Sequence, residues 1–285
     1  MDKIKNVIPD QDELKYKLKK NKRDIIFWVC GIFSTFLIFF FFSSKDYSFL
    51  MVLSSITQTL SFLIIVLKVI KSNNTSGLSI NTLICYLILL IARLTSTVFF
   101  TGYLPSDSSG DFFYQLTEVT SCCLIIILIY FINKKYKETS DTLIDTCPYY
   151  YFAIPCYILA LFVHTTLNSF FFTDVNWTFA MYLEAVAIYP QIKLFMAKKG
   201  QIETYTSHYV ALCGLSRLLS LIFWYDTYPE LNSYSSSKFV ILSQYSGYFI
   251  ILSQVLQLII LADYYYLYFK ALFTGEKMRI NIQGL

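Results

Sequence analysis

Five ionisable residues interrupt the long apolar runs of this sequence: Arg93, Glu118, Glu184, Arg217 and Asp263. A charge near the centre of a bilayer costs roughly 2.5 to 3.5 kcal/mol even on insertion scales, so such residues serve a function or pair with partners. A guanidinium offers a fixed fork of donors that suits a carboxylate. The arginines therefore indicate either a cavity for a carboxylate or similar anion, or internal salt bridges to one of the three acids. Spacing alone leaves both interpretations open.

The two arginines stand in matching local sequences of the form Arg-Leu-x-Ser-x-x-Phe-aromatic, beginning at residues 93 and 217. Each copy follows an apolar helix and a short basic loop that contains a glycine, KSNNTSGLS or KKGQIETYTS. This arrangement predicts a parallel repeat with halves related about the membrane normal. Helical spacing predicts two inward faces. These faces hold Tyr86, Leu89, Arg93, Ser96 and Phe100 in the first copy, and Cys213, Arg217, Ser220 and Trp224 in the second.

A third inward face is predicted on the apolar run that precedes the second repeat loop. By helical spacing it carries Trp177, Met181, Glu184, Ile188 and Gln191. Because proline removes a backbone donor and crowds the preceding turn, Pro190 predicts a kink near one end of this helix.

Composition places these residues in a membrane protein. The 285-residue chain is 56% apolar, 19% aromatic and only 15% charged, and its mean hydropathy is positive. Its uncharged runs are longer than those of soluble helices. Eight apolar runs predict eight spans, at about 25–42, 49–70, 80–101, 112–132, 149–168, 176–197, 208–224 and 243–269.

The basic residues support this count. With the N-terminus in the cytosol, 19 of the 23 Lys and Arg residues lie on that side, and only Lys45 and Lys238 lie in the opposite loops. The remaining two are the arginines within spans. This asymmetry is what the positive-inside rule predicts for eight spans with both termini on one side.

Several function classes are excluded by the sequence. It contains no nucleophile, base and orienting-residue set, no phosphate-binding loop and no cysteine-histidine cluster, so we expect neither an enzyme nor a metal site, and no cofactor. The seven cysteines fall mostly in apolar runs, where cysteine behaves as a small buried hydrophobe. The net charge of +4 is small and unevenly placed. It indicates how the chain is oriented in the membrane lipid bilayer and does not indicate binding to nucleic acid.

Several ordered motifs resemble one family. They are WTFAMYLEAVAIYPQ followed by KKGQIETYTSHY and Arg217, LKVIKSNNTSGLS leading to Arg93, KYKETSDTLIDT, and DYYYLY. Over about residues 51–278 the chain resembles the receptors that return escaped luminal proteins to the endoplasmic reticulum (ER), the KDEL receptors. The resemblance implies an all-α polytopic membrane protein, with a seven-helix SWEET-like (PQ-loop-like) core of two three-helix bundles.

On this resemblance the chain divides into four parts. Residues 1–24 form a charged tail on the cytosolic side, 25–42 an added transmembrane helix, 49–270 the receptor-like domain, and 271–285 a tail on the same side as the N-terminus. The resemblance implies an ER and Golgi location.

The resemblance also implies a binding site for the C-terminal peptide signal of luminal proteins. Its residues here are Arg93, Arg217, Asp174, Trp177, Glu184 and Asp263. The chain departs from the family pattern at several positions, three of which concern charged or titratable residues of the family site. Met51 replaces a third arginine, Gln58 replaces the histidine that couples binding to acidity, and Ser96 replaces an acid that reads the signal.

Three functions remain open. The first is a divergent retrieval receptor that binds such peptides. The second is a non-catalytic subunit of a large membrane complex, for example a mitochondrial inner-membrane respiratory complex of a protist, whose partners are other subunits. The third is a small-solute or lipid transporter, suggested by the bundle type and the charges within the spans.

Overall fold

The structure is a computed structural model that describes residues 47–104, 108–198, 200–232 and 243–274, together with Lys22, Ile26, Phe33 and Met278. Throughout these parts the regular structure is helical. The helices are α1 (Ser48–Ser72), α2 (Ile80–Thr97), α3 (Ser108–Tyr130, continued by a π-helical turn, Phe131–Lys135), α4 (Tyr150–Phe162), α5 (Phe171–Val186), α6 (Tyr189–Lys198), α7 (Thr204–Leu231) and α8 (Ser246–Thr274). Ile26 and Phe33 are helical. The rest of the predicted helix at 25–42 lies outside the described residues, and so do the tails 1–24 and 271–285 except for Lys22, residues 271–274 and Met278.

Five helical segments are long and apolar enough to cross a bilayer by length and composition. They are α1, α2, Gly110–Lys135, α7 and α8. The outer surface of α1 is typical of contact with lipid, because Leu60, Leu63, Leu67 and Ile70 form an exposed stripe one helical turn apart. The opposite face buries Phe62 and the other core residues of this helix. The prediction of a polytopic helical membrane protein is confirmed.

Two predicted spans differ in detail from the structure. The run at 149–168 forms only the 13-residue helix α4, and residues 163–170 form a non-helical connection. The run at 176–197 is divided into α5 and α6 at Ala187 and Ile188. Pro190 is the second residue of α6, where a missing backbone N–H costs little. The kink predicted from Pro190 is therefore confirmed, and takes the form of a break just before it.

The helices pack as two groups. Helix α3 packs against both α1 and α2, and α8 packs against both α5 and α7. Between the groups, α1 lies along α7 and α2 lies along α5, while the short α4 covers α5. The predicted inward faces all contribute to these contacts. Each of their residues is buried except Phe100, which is half-buried.

One end of the bundle, called here the basic end, carries residues 73–79, 136–149 and 200–203 between the helices. Gln191 joins α6 to the first of these connections. Its Oε1 accepts a hydrogen bond from the Ser79 N–H at 2.9 Å, and its Nε2 donates to the Gly77 carbonyl at 2.7 Å. Ser79 also caps α2 by accepting from the Thr82 N–H at 3.1 Å. The Pro-Gln pair thus fixes the loop that starts the arginine-bearing helix α2.

An ion pair at the basic end closes the same loop. Lys198 Nζ lies 2.7 Å from Asp141 Oδ2, which also accepts from the Gly77 N–H at 2.6 Å. Burial alone raises the pKa of the Asp141 carboxyl, but hydrogen bonds from Lys198, Gly77 and Ser76 outweigh burial and hold the pKa below its usual range. Gly77 adopts a φ of 86°, which favours glycine.

Candidate functional site

Five polar side chains from five helices meet inside the bundle. They are Gln58 of α1, Arg93 of α2, Glu118 of α3, Glu184 of α5 and Arg217 of α7, and each is no more than 4% exposed. We call this group the ionic cluster. It lies where the two groups of helices face each other, because α1 lies along α7 and α2 along α5.

Glu184 is the centre of the ionic cluster. Its Oε2 lies 2.9 Å from Arg93 Nη1 and also pairs with Arg217 Nη1. Its Oε1 accepts a hydrogen bond from Gln58 Nε2 at 3.2 Å. One carboxylate thus holds both guanidiniums of the repeated motifs, and the two arginines predicted to face inward do meet.

Gln58 bridges Glu184 and Arg217. Its Oε1 accepts a hydrogen bond from Arg217 Nη2 at 2.8 Å while its Nε2 donates to Glu184. An amide supplies both a donor and an acceptor, so it satisfies two charged partners at once without a charge of its own. Sequence reasoning identified Gln58 only as the replacement of a family histidine and did not predict this bridge.

Glu118 completes the charge balance. Its Oε1 lies 2.5 Å from Arg93 Nε. The ionic cluster therefore holds two guanidiniums and two carboxylates and has a formal charge of zero. Buried charges are stable only when paired, and each of these four charges has an oppositely charged neighbour within the protein. The sequence left the partner of Glu118 open among the two arginines, and the structure assigns Arg93.

A small cavity adjoins the ionic cluster. Its volume is about 20 Å³, room for about one water molecule. Met51, Ser54, Met181, Ser220 and Trp224 line it together with the cluster residues. Met51 is the position where the resemblance implies a third arginine, and its buried apolar side chain leaves this wall of the cavity without a positive charge.

Asp174 and Trp177 lie on the same helix as Glu184, at the end opposite the basic end. The Tyr103 hydroxyl donates to Asp174 Oδ1 at 2.6 Å, and its ring stacks on Trp177 with centroids 4.1 Å apart. Trp177 in turn contacts Trp224 edge to face at 5.2 Å. Since Trp224 lines the cavity, this aromatic group connects Asp174 to the ionic cluster. Tyr103 was not identified from sequence, because it lies in a connection outside both repeated motifs.

Two other positions lie apart from the cluster. Ser96, where the family has an acid, accepts a hydrogen bond from Asn168 Nδ2 at 2.6 Å. Asp263 is exposed on α8, whereas its neighbours Tyr264 and Tyr265 donate to carbonyls of α7 at 2.6 and 2.7 Å. The structure therefore brings together Arg93, Arg217 and Glu184, places Asp174 and Trp177 beside them through aromatic contacts, and leaves Asp263 outside.

Comparison with known proteins agrees with this architecture. The model of the family "ER lumen protein retaining receptor" matches residues 74–227. An ER lumen protein-retaining receptor of Caenorhabditis briggsae is 30% identical over 228 residues, covering 79% of this chain and 94% of the relative. One of Entamoeba histolytica is 29% identical, covering 79% and 94%, and receptor 3 of Mus musculus is 28% identical, covering 81% and 97%.

The helices and the buried ionic cluster define a polytopic helical membrane protein with two arginines and two glutamates in the interior of the bundle. The chain belongs to the ER lumen protein retaining receptor family. The resemblance stated from the sequence motifs is confirmed.

Proposed function

We propose that the chain is a divergent retrieval receptor, which binds the C-terminal peptide signals of luminal proteins at the ionic cluster. The observation that carries the proposal is the meeting of Arg93 and Arg217, from the two repeated motifs, on one carboxylate beside a cavity. Two guanidiniums that converge on one carboxylate offer donors from two directions, an arrangement that also suits the terminal carboxylate of a peptide.

In this proposal the terminal carboxylate of the peptide binds between Arg93 and Arg217, and Glu184 orients both guanidiniums. Trp177 supplies an apolar wall, and Asp174 lies beyond it to receive the basic end of the signal. Asp263 remains an expectation of the resemblance alone, because its side chain is exposed on α8.

The altered positions weaken binding without removing it. A hydrogen bond to a charged group contributes about 1.5 to 3 kcal/mol, and Met51 and Ser96 each remove one such group that the resemblance implies. Together these two losses correspond to about a hundredfold or more in affinity. We therefore expect weaker binding than a site with three arginines would show.

A peptide-binding assay on the purified full-length chain tests the proposal. The probe is the synthetic tetrapeptide Lys-Asp-Glu-Leu, with either a free C-terminal carboxylate or an amide. We expect saturable binding of the free acid at acidic pH, and at least about tenfold weaker binding of the amide because it lacks the anion. No saturable binding of either peptide, or equal binding of both, would contradict the proposal.

One observation favours the second candidate, an accessory subunit of a larger membrane complex. All four charges of the ionic cluster are already paired inside the protein, as in a cluster that only holds helices together. Purification of the native protein distinguishes the two. Stoichiometric partners that stay bound through mild detergent would favour the subunit, and a chain recovered alone would favour the receptor.

We propose an ER and Golgi membrane location for the receptor, with both termini in the cytosol.

A further inference from the structure

We propose that Glu118 competes with the ligand at this site: it occupies the place of a ligand carboxylate at Arg93, so an anionic peptide binds only with displacement and protonation of Glu118. This inference rests on the proposed receptor function and deepens it. It concerns which peptides the site accepts and what must leave the site when they enter.

Glu118 lies buried against Arg93 at the cavity. Its carboxylate is 1% exposed, and its Oε1 lies 2.5 Å from Nε of Arg93. Arg93 Nη1 is engaged by Glu184 at 2.9 Å, so its guanidinium already contacts one protein carboxylate on each of two edges. Glu118, Arg93 and Arg217 line the same cavity. Because this cavity has room for only about one water molecule, a peptide carboxylate that reaches Arg93 must take the place of Glu118 at the same donor.

The ionic cluster has no net charge before a ligand binds. Within the described residues, the charged and titratable side chains that line the cavity with Glu118 are Arg93 of α2, Arg217 of α7 and Tyr114 of its own helix α3. The amide of Gln58 of α1 lines it too, and Glu184 of α5 faces Glu118 across Arg93. Another titratable residue of α3, Cys122, lies one turn further along. The charged members sum to zero, so a ligand carboxylate brings the buried site to −1. An uncompensated buried charge is costly, and one proton on a carboxylate removes it.

The number of contacts selects Glu118 as the carboxylate that takes up the proton. Glu184 forms ion pairs with both arginines and accepts a hydrogen bond from Gln58, whereas Glu118 forms one ion pair, with Arg93, and has the neutral Tyr114 as its other neighbour. Neutralising Glu118 therefore breaks one ion pair, whereas neutralising Glu184 would weaken two. The proton that accompanies the ligand goes to Glu118, and the ligand carboxylate takes its place at Arg93.

The number of guanidiniums in the ionic cluster defines the class of ligand. Two guanidiniums serve Glu184 and one further carboxylate, and among the residues lining the cavity there is no other basic side chain in the described parts of the chain. The terminal carboxylate of a peptide fills that single place. We therefore expect peptides with a free C-terminus and uncharged neighbouring side chains to bind as well as peptides with acidic ones.

The test compares the full-length chain with Glu118→Gln across pH 5.5 to 7.5, using Lys-Asp-Glu-Leu and Lys-Ala-Ala-Leu as free acids. For the unaltered chain we expect similar affinity for both peptides, which falls by up to about tenfold per pH unit because one proton is taken up. In Glu118→Gln we expect binding that hardly changes with pH, is at least about tenfold tighter at pH 7.5, and again shows similar affinity for both peptides. Glu203→Gln is the matched control, since Glu203 is half-exposed and pairs with Lys68 at the basic end. It should behave as the unaltered chain does.

A second measurement does not depend on the variant. Calorimetry of peptide binding to the unaltered chain, in buffers of different ionisation enthalpy, should give an uptake of about one proton per peptide near neutral pH. Equal affinity and equal pH dependence in the unaltered chain and Glu118→Gln, or binding without proton uptake, would overturn the role of Glu118 and leave the receptor function intact. Absence of binding by every form would overturn the receptor function and this inference together.

Discussion

At the scale of single residues, the sequence predicted that Arg93, Glu184 and Arg217 face inward, because helical spacing groups them with apolar neighbours. It could not predict which acid pairs with which arginine. The partner of Glu118 depends on how α3 is rotated against α2, and the bridge through Gln58 depends on how α1 packs along α7. Asp263 was grouped with these residues by motif, but α8 turns its side chain outward. The exposed face of a nearly uniformly apolar helix cannot be read from its spacing.

Glu184 should be the acid on which the ionic cluster depends most for stability. Glu184→Gln leaves two buried guanidiniums with one carboxylate, and breaking a buried pair in this way costs about 3 to 5 kcal/mol. We expect a clear loss of thermal stability of the purified protein in detergent. Glu138→Gln, at an exposed position of the basic end, is the control and should leave the unfolding midpoint unchanged. An unfolding midpoint for Glu184→Gln equal to that of the control would show that the carboxylate is not ionised between the arginines.

At the scale of helices, the sequence predicted the order of the spans and the break near Pro190, because apolar run length and proline chemistry are local properties. The short α4 and the connection at 163–170 were not predicted, since the apolar run continues past the end of the helix. What ends α4 is tertiary: the Tyr182 hydroxyl donates to the Val163 carbonyl at 3.0 Å, and Thr165 bonds to Thr178. Contacts from α5 of this kind have no signal in the local sequence.

Gln191 should stabilise the contact between α6 and the connection that precedes α2. Gln191→Leu keeps the volume but leaves the Ser79 N–H and the Gly77 carbonyl without their buried partner, at about 1 to 3 kcal/mol each. We expect a lower unfolding midpoint and faster backbone hydrogen exchange at residues 77–82. Gln201→Leu, the same change at an exposed position of the same end, should show neither effect. Unchanged exchange at 77–82 in Gln191→Leu would mean that α2 does not depend on this contact.

At the scale of the whole molecule, composition and the asymmetry of basic residues were enough to predict a polytopic helical membrane protein, and the family followed from long ordered motifs. From residue 47 onward the described lysines, including Lys68, Lys134, Lys193 and Lys270, lie toward the basic end. Their distribution agrees with the predicted orientation, which remains a prediction together with the helix at 25–42. Function was harder to predict than fold, because the proposed ligand site depends on the convergence of five helices, and each of them contributes a single residue to the ionic cluster.

The central claim, that the ionic cluster binds a peptide carboxylate, is tested most directly by photo-crosslinking. A C-terminal tetrapeptide with a free carboxylate and a photoreactive penultimate side chain should label residues that line the cavity, such as Met51, Met181 or Trp224. Unlabelled free acid should compete for this labelling, the corresponding amide should compete poorly, and Arg217→Gln should abolish it. Labelling that the free acid does not reduce, or that falls only on the basic end of the bundle, would contradict the account.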